Sequence, residues 1–214
     1  MLNRVWKSGW HASIQLGEKC VYSTEQVEVS RNIDRAGSNA NGIIPQINTA
    51  NRDIQKNTRR IHSPESDISV RVPQDWKELD NLNSGAVLQA GCHERQVFLI
   101  VIKQYKHTFG AVLPLRDYAI ATCQAALGWV ADAKLTREPT HLPLGNYYLA
   151  EMEGLVGGSI VKYQITTHES AKVFYALYAW STLDNYPAVC HELKQVSASL
   201  KVNLTAPVAQ LSPA

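Results

Sequence analysis

Seven histidines, four cysteines and one alternating pair of glutamates are the side chains of this chain with the chemistry for catalysis or metal binding. Two Cys-His dipeptides, Cys92-His93 and Cys190-His191, raise a metal reading, because zinc takes both ligand types. Zinc needs four ligands converging at about 2.0–2.3 Å. Neighbours on a strand point to opposite faces, and neighbours on a helix diverge by about 100°. Each dipeptide therefore offers one ligand, and a site requires His93, His191 and a carboxylate to meet across the fold. Glu151 and Glu153 would stand about 6–7 Å apart on one face of a strand, a separation at which two carboxyls can do glycosidase-type acid–base work. Their alternation with Ala150, Met152 and Gly154 reads them instead as the solvent face.

The remaining chemistry thins out quickly. His62, His107, His141 and His168 fall in segments expected to be arm, loops or turns, where a surface placement accounts for them; His11 lies near the N-terminus. No GxSxG elbow, HExxH or DFG-type set occurs. Gly157-Gly158 precedes a strand rather than a helix, so it reads as a hairpin turn and not as a phosphate-cradling loop. Cys20, Cys92, Cys123 and Cys190 are too few and too scattered for a disulfide scaffold, and reduced thiols are expected. No residue is assigned a catalytic, cofactor-binding or metal-ligating role, and no cofactor is expected.

The elements that would position these residues begin at Asp67. Ile68, Val70 and Val72 alternate with Ser69 and Arg71 as a half-buried strand, closed by Pro73. Residues 85–91 read as a second strand. Gln96 to Lys103 is apolar on both faces, as a strand covered on both sides must be. A helix follows Pro114, with Leu115, Tyr118, Ala119, Thr122, Ala125, Ala126 and Trp129 on one stripe. A weak strand over 133–138 leads into a loop spanning Pro139–Asn146. Residues 147–156, 159–167 and 171–181 form an antiparallel meander carrying Tyr147, Tyr148, Tyr163, Phe174, Tyr175, Tyr178 and Trp180. A last helix starts after Asp184 or Asn185, takes Pro187 in its first turn, and buries Tyr186, Val189, Leu193, Val196 and Leu200. Short connections require a largely antiparallel sheet, hence an α+β fold with a three-layer α/β/α sandwich.

Ahead of this domain, residues 31–66 contain no aromatic residue, and isolated isoleucines are separated by polar side chains. Such a stretch buries too little apolar surface to offset its ordering entropy. Residues 1–66 are therefore expected to be a disordered or weakly ordered arm, and 204–214 a flexible tail. The arm carries nine Lys/Arg against six Asp/Glu, and the rest of the chain twelve against thirteen. Within it, Lys56, Arg59 and Arg60 form a basic cluster able to touch an acidic partner, although a solvated linker explains the same residues. Trp6, Trp10 and Tyr22 could form a docking element.

At 214 residues, 45% hydrophobic and 19% charged, with a formal charge of +2, the chain is neither collagenous nor a disulfide mini-protein, and has no global case for binding nucleic acid. It has no apolar run of membrane-spanning length. The first residues, Met1 to Trp10, are interrupted by polar side chains at almost every step, so a signal peptide is not expected. The expectation is a cytoplasmic protein, or a periplasmic or thylakoid-lumenal one if translation starts elsewhere.

Three segments carry a family resemblance. Ile68-Ser69-Val70-Arg71-Val72-Pro73-Gln74-Asp75-Trp76 resembles the strand–Pro–x–x–Trp start of PsbP-like domains. Pro143-Leu144-Gly145-Asn146-Tyr147-Tyr148 is similar to the opening of their meander. Phe174 to Ser181, with the helix ending Val196-Ser197-Ala198-Ser199-Leu200-Lys201, resembles their closing strand and helix. The resemblance covers about residues 67–203 and embraces the photosystem II oxygen-evolving P subunit, DcrB-like bacterial proteins and a yeast Ran-binding import factor. It implies a non-catalytic protein-binding or assembly module with an unidentified protein partner, engaged by a sheet edge, the Pro139–Asn146 loop or the arm. The contrasting expectation is a small hydrolase or metal-dependent enzyme using loop histidines and carboxylates.

Overall fold

A computed structural model of the chain describes residues 57–110 and 112–202. Trp6, Trp10, His11, Cys20, Tyr22 and Lys56 of the expected arm, and the tail from residue 204, lie outside these residues. The strands are β1 (Thr58–His62), β2 (Ile68–Pro73), β3 (Lys77–Glu78), β4 (Ala86–Cys92), β5 (Val97–Tyr105), β6 (Ala131–Leu142), β7 (Tyr147–Val156), β8 (Ser159–Glu169), β9 (Val173–Thr182) and β10 (Lys201–Val202); the helices are α1 (Leu115–Trp129) and α2 (Tyr186–Ala198).

Seven strands pair antiparallel in the order β3-β4-β5-β9-β8-β7-β6. Strand β9 lies at the centre, and every residue from Val173 to Ser181 is buried, as its apolar sequence on both faces requires. Its even-numbered side chains Phe174, Ala176, Tyr178 and Trp180 face α1, which contributes Leu115, Tyr118, Cys123 and Ala126. Phe174 stacks on Tyr118 with ring centroids 4.3 Å apart. The odd-numbered side chains Tyr175, Leu177 and Ala179 face Val189, Leu193 and Val196 of α2. Two helices on opposite faces of an antiparallel sheet make the expected three-layer α/β/α sandwich.

A second, three-stranded sheet in the order β1-β2-β10 lies on the α2 side and completes that core through Ile61, Ile68, Val70 and Val72. This sheet revises two expectations. The expected arm includes residues 57–66, but Thr58–His62 pairs with Ser69–Pro73 of β2, in the register Thr58↔Pro73 to His62↔Ser69. Ile61, one of the isolated isoleucines, becomes a core residue with 1% exposure. Local composition could not reveal this, because the apolar surface that holds β1 belongs to β2, α2 and the large sheet. Strand β2 in turn joins this smaller sheet rather than the main one; the turn after Pro73 carries the chain on to β3.

The 133–138 strand is also longer than expected. Strand β6 runs twelve residues and takes in Pro139, His141 and Leu142, leaving only a 3-10 turn, Pro143–Gly145, before Asn146. Three register irregularities against β7 give it the bulged, twisted form common in edge strands. Proline is tolerated there because an edge strand has one side of its backbone free of the ladder. The Gly157-Gly158 hairpin forms as read, with φ of 60° and 85° at the two positions that a type I′ turn needs. Among the described residues, no helix is long and apolar enough to cross a membrane.

Candidate functional site

The two Cys-His pairs do not meet. Cys92 is buried at the end of β4, while His93 turns outward and packs edge-on against Phe98, with ring centroids 5.1 Å apart. Cys190 is half-buried on α2, and the neighbouring His191 ring nitrogen lies 2.9 Å from Gln195 Nε2. Among the described residues, no group of three His, Cys, Asp or Glu side chains is placed to hold a metal ion. Burial pushes the Cys123 thiol up to about 12, with Glu138 adding to the effect, so it is not a nucleophile at neutral pH.

Glu151 and Glu153 share a face, as alternation dictates, but that face is not open solvent. Lys162 of β8 sits between them, 3.3 Å from Glu151 and 3.5 Å from Glu153, and Lys134 approaches Glu153 at 3.5 Å. The side chains of Glu151, Glu153 and Lys162 are only 13%, 15% and 17% exposed. The carboxylates thus neutralise a cross-strand lysine, whose ammonium also lies 5.2 Å from the Tyr186 ring.

His168 departs furthest from its expected turn position. Strand β8 continues to Glu169 because Tyr175 and Phe174 of β9 pair with His168 and Glu169, which moves the turn to 170–172. The imidazole is 8% exposed, stacks on Tyr147 with centroids 4.9 Å apart, and has Nε2 buried without a hydrogen-bond partner. Burial lowers its pKa to about 4, so the ring is neutral at physiological pH. Gln164 Oε1 and Thr166 Oγ1, on the same face of β8, are likewise buried and unpartnered.

The meander aromatics are core residues rather than an open platform: Tyr163, Phe174, Tyr175, Tyr178 and Trp180 are all at most 8% exposed. Tyr147 and Tyr148 are half-buried.

Most of the charged side chains that cross between elements are committed to the architecture. Arg95, in the β4–β5 turn, donates to both carboxylate oxygens of Glu192 at 2.9 Å and to Asp75 at 2.7 and 3.2 Å. Glu192 also accepts the indole N–H of buried Trp76 at 3.0 Å. The paired carboxylates hold the Arg95 guanidinium above its ordinary pKa, through the Glu192 hydrogen bonds first. Three segments (the turn between β2 and β3, the β4–β5 turn and α2) are tied at one point. The residues involved are scattered from 75 to 192, so no local pattern in the sequence marks this cluster.

The basic cluster of the expected arm is where the sequence and the structure meet most usefully. Arg59 and Arg60 fall on β1, so alternation sends them to opposite faces. Arg59, opposite Val72, donates to the Trp76 carbonyl at 2.9 Å and pairs with Glu78 at 3.3 Å. Arg60 faces outward, directly across from Arg71 of β2. Its guanidinium donates to Ser69 Oγ at 2.9 Å. Lys201 of β10 and His62 of β1 flank Ser69 from either side in the same register. The outer face of the small sheet thus gathers Arg60, Arg71, Lys201 and His62 from three separated stretches of chain. Burial, then the charge of Arg71, lowers the Arg60 pKa.

No protein-family model matches the chain, and no curated protein matches it in sequence. The layered architecture is nevertheless shared with solved structures, and the class it defines is the PsbP-like sandwich. Cyanobacterial PsbP (CyanoP) from Synechocystis sp. PCC 6803 superposes with a TM-score of 0.50 at 16% identity, over 68% of this chain and 92% of that one. LpqN of Mycobacterium tuberculosis, described as involved in cell envelope biogenesis, matches at a TM-score of 0.46 and 13% identity, over 72% of this chain and 97% of its own. The Saccharomyces cerevisiae Ran-binding protein Mog1p matches at 0.46 and 9% identity, over 68% and 95%. The chain has the PsbP-like fold, in agreement with the resemblance read from its strand, meander and helix segments.

Proposed function

We propose that this chain is a non-catalytic protein-binding or assembly module. The observation that carries the reading is the dispersal of its chemistry-bearing side chains into structural pairings. His93 packs on Phe98, His191 meets Gln195, and Glu151 and Glu153 clamp Lys162. Acid–base or nucleophilic catalysis needs a nucleophile, a base and an orienter converging on one point, whereas these groups lie on different faces and turns of the sandwich. A protein partner is the reading's natural ligand. Fold alone does not choose it, because PsbP-like architecture is a scaffold and function resides in a surface patch grafted on it.

The test is affinity isolation of the tagged full chain with cross-linking mass spectrometry and metal analysis of the same sample. A protein partner cross-linked at stoichiometric level to specific lysines supports the module. Stoichiometric metal with no cross-linked partner overturns it in favour of a metal-dependent enzyme. Truncation at residue 67 is not a valid control, because it deletes β1 and uncovers the core surface beneath Ile61.

A further inference from the structure

We propose that the outer face of the β1-β2-β10 sheet is a docking surface for an acidic protein segment, with Arg60 and Arg71 as its paired guanidinium clamp. The inference rests on the protein-binding reading above and names the chemistry of the partner.

The central observation is a like-charge pair held in register. Arg60 and Arg71 are direct cross-strand partners. Side chains in that relation stand about 4.5–5.5 Å apart at Cβ, and like charges there are destabilising. The fold has the means to relieve such repulsion elsewhere: Arg59 reaches Glu78, Arg95 reaches Asp75 and Glu192, and Lys162 reaches two glutamates. Among the described residues, no carboxylate forms an ion pair with Arg60, Arg71 or Lys201. The repulsion is felt by Arg60, whose pKa falls partly because Arg71 is charged.

The backbone beneath the clamp is held firmly. Ser199 Oγ accepts the Arg71 N–H at 2.8 Å and donates its hydroxyl to the Val196 carbonyl at 2.7 Å, tying the end of α2 to the middle of β2. Ser69, 1% exposed, is fixed between His62 and Lys201 and receives the Arg60 hydrogen bond. Arg60 and Arg71 extend from paired strands on one face, and a guanidinium is a planar donor fork that binds a carboxylate bidentately. A short acidic segment fits better than a long polyanion. Glu65 and Asp67, both exposed in the β1–β2 turn, close one end of the cationic face and would repel an extended phosphate backbone or anionic bilayer. None of the buried meander aromatics is available to stack bases.

The test uses the full chain and a fluorescein-labelled oligo-glutamate peptide, read by anisotropy at low and physiological salt. Wild type is expected to bind saturably and more weakly as salt rises, and Arg60→Gln/Arg71→Gln to lose about tenfold or more in affinity. Arg116→Gln, an exposed position on α1, is expected to bind as wild type. The double variant removes both the repulsion and the Arg60 hydrogen bond to Ser69, which offset each other, so its melting temperature is expected to stay within a few degrees of wild type; loss of the cooperative transition would mean that the arginines serve the fold and overturns the proposal. So does absence of saturable peptide binding by wild type, or tighter binding to an oligothymidylate or to phosphatidylserine vesicles than to the peptide. A partner cross-linked equally to wild type and the double variant overturns this surface while leaving the module reading intact. Loss of that reading would show itself separately, as bound metal without partner.

Discussion

Acidification below pH 6.5 should destabilise this protein through the buried imidazole of His168. His168 is buried between Tyr147 and the β9 strand with an unpartnered Nε2, and burial lowers its pKa from 6.5 to about 4. The folded-state pKa lies below the unfolded one, so the unfolded chain binds the extra proton. Stability is therefore fully present above pH 6.5 and is lost as pH falls from 6.5 towards 4. At about 1.4 kcal/mol per unit, the loss reaches about 2 kcal/mol by pH 5 and about 3 kcal/mol below pH 4. Two kcal/mol corresponds to a fall of about 4–8 °C in Tm for a domain of this size. Urea unfolding at pH 8, 6.5 and 5, followed by tryptophan fluorescence, reads the effect directly. His168→Phe keeps a ring against Tyr147 and removes the titration, so its stability should be flat across that window. An equal loss in wild type and variant, or none in wild type, would refute the assignment of the proton to His168.

Three further outcomes follow from the packing. Gly91→Ala should destabilise by about 2–3 kcal/mol, because a Cβ there would lie 2.5 Å from the Val97 carbonyl oxygen and 2.6 Å from the Phe98 ring, and the backbone atom cannot retreat; denaturant midpoints check it. Glu192→Gln should cost about 1–2 kcal/mol by weakening the Arg95 clamp while sparing the Trp76 hydrogen bond; a change below a few tenths would show that the cluster holds nothing. In native alkylation with iodoacetamide followed by peptide mapping, Cys190 should label well before Cys123, whose thiol is buried and pushed up to about 12; labelling of Cys123 at a similar rate would mean that the α1 face of the core opens readily.

The alternation of Ile68, Val70 and Val72, the two-faced apolar run from Val97 and the stripes of both helices are local patterns, and each folds as its period dictates, except that Trp129 at the end of the α1 stripe is left 40% exposed. The departures have a common cause. His168 was read as a turn because polar residues surround it; the pairing of Tyr175 and Phe174 draws it into β8 and buries it. Asn185 lies at the N-cap of α2, as read, yet its side chain makes no cap bond and instead donates to the Arg95 carbonyl and Ser181 Oγ. Glu151 and Glu153 alternate as a solvent face should, and only the register with β8 supplies Lys162 between them.

The candidate site divides along the same line. The α+β layering, the antiparallel meander, the Gly157-Gly158 turn and the basic cluster at Arg59 and Arg60 are legible in the chain alone, since period, turn chemistry and charge are properties of neighbouring residues. That Arg59 is neutralised beside Trp76 and Glu78 while Arg60 faces Arg71 depends on how distant strands pair. Strand pairing joins residues that lie seven to well over a hundred positions apart, and the energy that holds β1 in place comes from apolar surface contributed by the rest of the fold. A short polar segment carries no local record of the partners that will order it.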